Sequence, residues 1–217
     1  MSKDYEIKKE IVDVAHMLND RRMVGTYEGN ISIKSEDKVY LTPSGQSKEL
    51  LTEGKIIVTD LDGKVIEGEL KPTSETPMHL RCYELRPDIN AVVHCHAPYS
   101  TAYAQANMAV ESKVSPEFML LFGKVPVIPY GRPGTEHIID GLEDVINDYD
   151  VVLLANHGVL AVGKTAHEAF SKTLSLEMLL QTEFIRKVIS DGKNTDLPDE
   201  ECEALIEIGK SNHGVKR

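Results

Sequence analysis

Two apolar runs that end in histidine constrain this chain more than any other feature. Ala91-Val92-Val93 runs directly into His94-Cys95-His96, and Val151 to Ala155 runs into Asn156-His157-Gly158. Continuous apolar runs of this length fit buried strands. Along a strand successive side chains alternate, so His94 and His96 share one face and Cys95 takes the other. Two imidazoles on one strand end are half of a metal site. A third from a distant strand end would leave one coordination position open, as in catalytic rather than structural zinc sites. Spacing alone leaves two readings open: metal ligation, and ordinary histidines of a surface or core. Three neutral imidazoles suit Zn²⁺ best, with Mn²⁺, Co²⁺ or Fe²⁺ as the other candidates.

The rest of the pattern predicts one α/β domain over residues 1–217, with a central, mainly antiparallel sheet flanked by helices. Residues 6–20 carry a helical stripe of Ile7, Ile11, Val14 and Leu18. Hairpins are expected for 31–33 with 39–41, and for 56–59 with 64–66 around Asp62-Gly63. A helix is expected from Thr76 to Leu85, stopped before Pro87, and a short one from Ser100 to Ala106. After an irregular stretch, Val125-Pro126-Val127-Ile128 reads as an edge strand. Thr135 is then expected to cap a helix carrying Ile138, Ile139, Leu142, Val145 and Ile146. Val159 to Val162 reads as the hairpin partner of the strand before it. Thr165-Ala166-His167-Glu168 is a capping box opening the longest helix, over 165–190, and a last helix spans 198–210. Glu177 falls near the apolar stripe of the long helix, where pairing across a subunit interface would account for a charge.

A formal net charge of −11 disfavours nucleic acid and anionic membranes as partners. Three widely spaced cysteines without a CxxC pair fit a reduced, cytoplasmic setting and inert thiols. The start, Met1 to Glu6, has no apolar signal core, and no apolar stretch approaches the roughly 20 residues that cross a bilayer. Among the remaining histidines, His16, His79, His137, His167 and His213 are read as ordinary, with His79 set apart by lying one helical turn beyond Glu75. Glu75 itself, in Lys71-Pro72-Thr73-Ser74-Glu75, has two readings. It is a helix-start acid favoured by the dipole, or a carboxylate beside the metal acting as fourth ligand and proton shuttle.

In addition, the chain resembles the class II aldolase family, the group of L-fuculose-phosphate aldolase and L-ribulose-5-phosphate 4-epimerase. The resemblance rests on Gly25-Thr26 through Gly29-Asn30-Ile31-Ser32, Thr42-Pro43-Ser44-Gly45, Lys71-Pro72-Thr73-Ser74-Glu75 and Arg86-Pro87-Asp88. It continues through Ala91 to His96, Tyr130-Gly131 with Gly134-Thr135, and Asn156-His157-Gly158, in family order over residues 6–190. It implies a three-layer α/β/α fold, Zn²⁺ held by His94, His96 and His157, and Glu75 as the catalytic carboxylate and fourth ligand. Gly29, Asn30, Ser44, Gly45, Thr73 and Ser74 match the pocket for the substrate phosphate. The implied reaction is retro-aldol cleavage of a ketose 1-phosphate to dihydroxyacetone phosphate and a short aldehyde. The sugar would be L-fuculose 1-phosphate, giving lactaldehyde, or a relative such as 5-deoxyribulose 1-phosphate. The implied assembly is a homotetramer with active sites at subunit boundaries.

Three places depart from the family pattern. The Gly25-Thr26-Tyr27-Glu28-Gly29-Asn30 loop is one residue longer than usual. Ser115-Pro116-Glu117 stands where the best-known member has a proton-donating tyrosine, so Glu117 is a candidate acid/base or a plain helix-start acid. The tail, Asn212-His213-Gly214, lacks the tyrosine that the family can lay over the aldehyde. Alternatives on the same fold are L-ribulose-5-phosphate 4-epimerase, which carries Asp in place of Glu75, and methylthioribulose-1-phosphate dehydratase. A non-enzymatic alternative is an interaction module like the adducin head.

Overall fold

A computed structural model describes residues 2–213. Helix α1 (Lys3–Asp20) starts at Ser2, whose Oγ accepts from Tyr5 N at 3.3 Å. Its stripe of Ile11, Val14, Ala15 and Leu18 is buried against the sheet. Strands β1 (Asn30–Ser35) and β2 (Lys38–Leu41) form the first hairpin, β3 (Ile57–Asp60) and β4 (Val65–Glu67) the second. In the second, Asp60 Oδ1 accepts from the backbones of Asp62 and Lys64 and sets the turn.

Helix α2 (Thr76–Leu85), β5 (Ala91–Cys95), α3 (Pro98–Gln105), α4 (Pro116–Leu121) and β6 (Val127–Ile128) follow. Then come β7 (Val151–Leu154), β8 (Gly158–Gly163), α5 (Ala166–Ile189) and α6 (Asp199–His213). The strands form one sheet in the order β4-β3-β2-β1-β5-β8-β7-β6, antiparallel except for the β6–β7 pair. The expected central, mainly antiparallel sheet between helices is thus the fold observed.

Alternation along the central strands divides the core into two layers. Ile31, Val93, Cys95, Leu153, Val159 and Ala161 face α1 and α5, whereas Leu41, Val92, Leu154, Leu160 and Val162 face α2. Burying each Val, Leu or Ile side chain among these contributes about 1.5–3 kcal/mol. β5 lies between β1 and β8, so His94 sits opposite Asn30 on one side and Leu160 on the other. All three cysteines are free and buried, and burial pushes the thiols of Cys82 and Cys95 up to about 12. No helix is long and apolar enough to cross a membrane among the described residues.

Three expectations need correction. Residues 135–146 do not form a capped α-helix. They form a single 3₁₀ turn, Glu136–Ile139, followed by further turns, and Thr135 Oγ1 donates to Arg132 O instead of capping. Gly141, at φ +77°, breaks the helical path, yet Ile138, Leu142 and Ile146 are still buried. The stretch read as irregular contains α4, started by Pro116 and by Ser115 Oγ accepting from Phe118 N at 3.3 Å. Six residues are too few for periodicity to reveal.

Glu177, the third, is satisfied within its own chain. Its carboxylate accepts from Tyr99 N at 2.8 Å and from Ser100 N and Oγ, both at 2.9 Å. It therefore caps α3, whose own cap residue, Ala97, has no side-chain oxygen to offer. α3 begins directly after His96, so this buried carboxylate anchors the segment carrying that histidine. Glu177→Ala should cost about 2–4 kcal/mol in urea unfolding, since it orphans the buried donors. A loss below about 0.5 kcal/mol, the size of an ordinary surface change, would contradict this capping role.

Candidate active site

The ends of β5 and β8 meet at the middle of the sheet, and their pairing brings the histidines together. His94 is the next-to-last residue of β5, His96 follows the strand, and His157 precedes β8. The His94, His96 and His157 ring centroids lie 4.7–5.0 Å apart. Only glycine fits at 158. A Cβ there would come 2.6 Å from Cys95 O, 2.9 Å from His96 Cδ2 and 3.1 Å from His94 Cε1. Asn156 turns the chain with φ +58°, in the left-handed region that Asn tolerates better than most residues.

Glu75 approaches from α2. Its Oε2 lies 3.4 Å from His94 Nε2, and its Oε1 lies 3.3 Å from His157 Nε2. It is the cap residue of α2 by position, but its side chain makes no cap hydrogen bond. It turns inward instead, which a plain helix-start acid would not do.

Protonation is set by surroundings. His94 Nδ1 donates to Val159 O at 3.0 Å, so its Nε2 carries a lone pair. Burial, with His157 and His96 adding to it, holds this imidazole neutral, well below its usual range. His96 is lowered too, by burial and then by His157. His94 Nε2 nevertheless lies 3.1 Å from His96 Nε2, and the three histidines offer ligand atoms all within 4.8 Å of one another. His157 Nδ1 is buried without a hydrogen-bond partner.

A divalent cation among these nitrogens and the carboxylate would take up the lone pairs they turn inward. Two nitrogens bound to tetrahedral zinc at about 2.05 Å would stand roughly 3.3 Å apart, close to the His94–His96 spacing. The donor set therefore fits a divalent ion.

One cleft of about 200 Å³ holds this cluster together with Tyr27, Glu28, Gly29, Asn30, Pro43, Ser44, Gly45, Thr73 and Ser74. All six residues matched to the phosphate pocket lie in it. Two chain segments are pinned side by side to make its wall: Ser44 N donates to Lys71 O, and Thr73 N to Thr42 O. Ser44, Gly45 and Ser74 stand exposed at the rim. Gly29 has φ +71°, and a Cβ there would meet Val24 Cγ1 at 2.6 Å and His94 O at 2.9 Å.

Some residues lie elsewhere than expected, and others were not foreseen. Glu117 does not join the cleft within one chain. It is exposed at the start of α4, accepts from Ser115 Oγ at 2.8 Å, and lines a separate groove with Phe118, Leu179 and Arg186. The longer loop places Tyr27 and Glu28 in the cleft, not Thr26. Glu28 accepts from Gly25 N at 2.8 Å and approaches His96 Nδ1 at 3.8 Å. Lys48 is buried near these acids and is pushed down to about 8 by burial. Its setting, Gln46-Ser47-Lys48-Glu49, reads as a solvated turn and gave no signal. His79 is fully buried behind Glu75, and burial takes it down to about 3. The tail beyond His213 lies outside the described residues.

The family model of the class II aldolase and adducin N-terminal domain matches residues 9–184. The chain belongs to that family. It is 36% identical over 176 residues to an L-fuculose phosphate aldolase of Methanococcus maripaludis, covering 81% of this chain and 95% of the relative. It is 33% identical to a 5-deoxy-D-ribulose 1-phosphate aldolase of Bacillus thuringiensis, covering 91% and 92% respectively. A solved L-fuculose 1-phosphate aldolase superposes with a TM-score of 0.85 at 30% identity, covering 95% of this chain and 96% of its own.

The neutral imidazoles carry a consequence for stability. Unfolding would let His79 and His94 protonate near pH 6.5, whereas the folded chain binds no proton there until far lower pH. The unfolded state thus binds more protons, and stability falls as pH drops below 6.5. Chelator-treated protein should lose about 1.4 kcal/mol per pH unit for each of these two imidazoles below roughly pH 6. Urea midpoints measured between pH 6.5 and 5 check this, and a flat midpoint would contradict neutral burial.

Proposed function

We propose that the protein is a metal-dependent aldolase cleaving a ketose 1-phosphate to dihydroxyacetone phosphate and a short aldehyde. L-Fuculose 1-phosphate, yielding lactaldehyde, is the leading substrate, and 5-deoxyribulose 1-phosphate is its close alternative. The observation that carries this reading is the single cleft shared by three converging imidazoles, an inward-turned carboxylate and a rim of hydroxyls and glycines. Relatives acting on these two sugars by name support the substrate class.

His94, His96 and His157 would hold the ion, with Glu75 as a fourth ligand that substrate displaces. Zn²⁺ is the first candidate, with Mn²⁺, Co²⁺ or Fe²⁺ also compatible with imidazole and carboxylate donors. When bound, the ion supplies Lewis-acid stabilisation of the negative charge that develops as C3–C4 breaks. The chain supplies the rest. The Ser44, Thr73 and Ser74 hydroxyls, with the backbone at Gly29 and Gly45, hold the phosphate by donors alone, which suits a protein of net charge −11. Thr73 Oγ1 already accepts from Glu75 N at 3.3 Å, so its own hydrogen remains for the ligand. Cleavage releases the C4 hydroxyl proton as the aldehyde forms and requires one proton at the carbon that was C3, so none is gained or lost overall. Glu75, having taken up a proton, would deliver it to that carbon to release dihydroxyacetone phosphate and would remove it in the reverse condensation. Glu117 takes part only if a neighbouring subunit of the proposed homotetramer brings it to the cleft. A cytoplasmic setting is part of this reading.

Purified protein should release dihydroxyacetone phosphate from one of the two ketose 1-phosphates, lose that activity with a chelator, and regain it with Zn²⁺. His94→Ala and His157→Ala should each bring bound metal below stoichiometric. Glu75→Gln should keep the metal and lower kcat by roughly 10²–10⁴-fold. Conversion of L-ribulose 5-phosphate without triose release would replace the aldolase reading by the epimerase one.

A further inference from the structure

Glu75 terminates a buried run of hydrogen bonds whose direction it alone dictates. Asn30 Nδ2 donates to Glu75 Oε2 at 2.8 Å, and Asn30 Oδ1 lies 2.5 Å from His79 Nε2. His79 Nδ1 lies 2.6 Å from Ser32 Oγ, which lies 2.6 Å from Tyr83 OH. Asn30, Ser32, Glu75, His79 and Tyr83 are all buried. A carboxylate only accepts, so the Asn30 amide must present its NH₂ group to Glu75 and its oxygen to His79. His79, kept neutral by burial, must then carry its proton on Nε2 and accept at Nδ1. Ser32 must donate to that nitrogen, which leaves its lone pair for the Tyr83 hydroxyl. Once the carboxylate accepts from Asn30, the direction of each bond in this run follows from the one before it.

The scaffold makes this a ladder between two elements. Glu75, His79 and Tyr83 are spaced i, i+4, i+8 on one stripe of α2, and Asn30 and Ser32 are spaced i, i+2 on one face of β1. The Asn30 carboxamide therefore gives one of its two N–H groups to Glu75. We infer that His79, backed by Ser32 and Tyr83, is a positioning residue that locks the Asn30 carboxamide so that it holds one oxygen of Glu75. The other oxygen, Oε1, is left toward His157 and the substrate. This inference rests on the proposed role of Glu75 in proton transfer.

The test combines kinetics with a measurement that needs no substrate. His79→Leu should lower kcat roughly 10–100-fold, as outer-sphere partners of catalytic groups do, with KM changed less than about threefold. His79→Gln, whose amide can donate to Asn30, should recover to within about fivefold of the parent. Adding His79→Leu to Glu75→Gln should change the residual rate less than about twofold, because residues acting through one another are not additive. Losses that multiply in the double variant, or no recovery with Gln, would show a merely structural role and overturn the inference. Independently, ¹⁵N NMR of metal-free parent protein should show His79 as the Nε2–H tautomer from pH 5 to 8. The Nδ1–H tautomer would reverse the ladder and refute it. Should the parent protein release no triose phosphate at all, the aldolase reading fails, while the tautomer still decides the polarity of the ladder.

Discussion

The convergence of three imidazoles and one carboxylate beside the ends of β5 and β8 is the constraint on which this molecule turns. His94 is neutral with its Nε2 lone pair facing inward, and His96 Nε2 and Glu75 Oε2 stand 3.1 and 3.4 Å from it. Such a cluster costs free energy by itself and becomes favourable around a cation. The surroundings are arranged to bear that cost. Val159 O fixes the His94 ring, Gly158 leaves room for the His94 and His96 rings, and Glu177 anchors the chain just past His96. Two of these act from β8 and one from α5, so the site depends on packing between the sheet and the long helix.

The same sheet explains why the rim of hydroxyls and glycines lies where it does. β1 pairs with β5, so the Gly29-Asn30 turn arrives beside His94 as a matter of register. The Thr42–Gly45 and Lys71–Ser74 segments leave opposite ends of the intervening chain and are stitched together by backbone hydrogen bonds. Binding an anion by donors and backbone rather than by arginines lets an acidic protein keep a local anion site.

Much of this was legible in the sequence, for identifiable reasons. Strand alternation and turn chemistry located the β1–β2 and β3–β4 hairpins, and apolar runs ending in histidine located β5 and β7. What escaped was whatever depends on side chains meeting from distant segments. Glu177 gave the signal of a charge near an apolar stripe, but its partners, the α3 backbone donors, carry no sequence mark. His79 differed from other histidines only by its spacing from Glu75, and its partners on β1 are polar residues that a hairpin strand ordinarily shows to solvent. The helix expected over 135–146 failed at Gly141, where a glycine within a periodic pattern was outweighed by that pattern. α4 was hidden by its brevity, although Ser115-Pro116 was the start signal.

X-ray absorption at the zinc edge of the zinc-loaded protein tests the central claim most directly. Three nitrogen scatterers at about 2.0–2.1 Å with imidazole outer-shell features, joined by oxygen at about 2.0–2.2 Å, are predicted. A sulfur shell near 2.3 Å, or fewer than three imidazoles, would place the ion elsewhere and contradict the account.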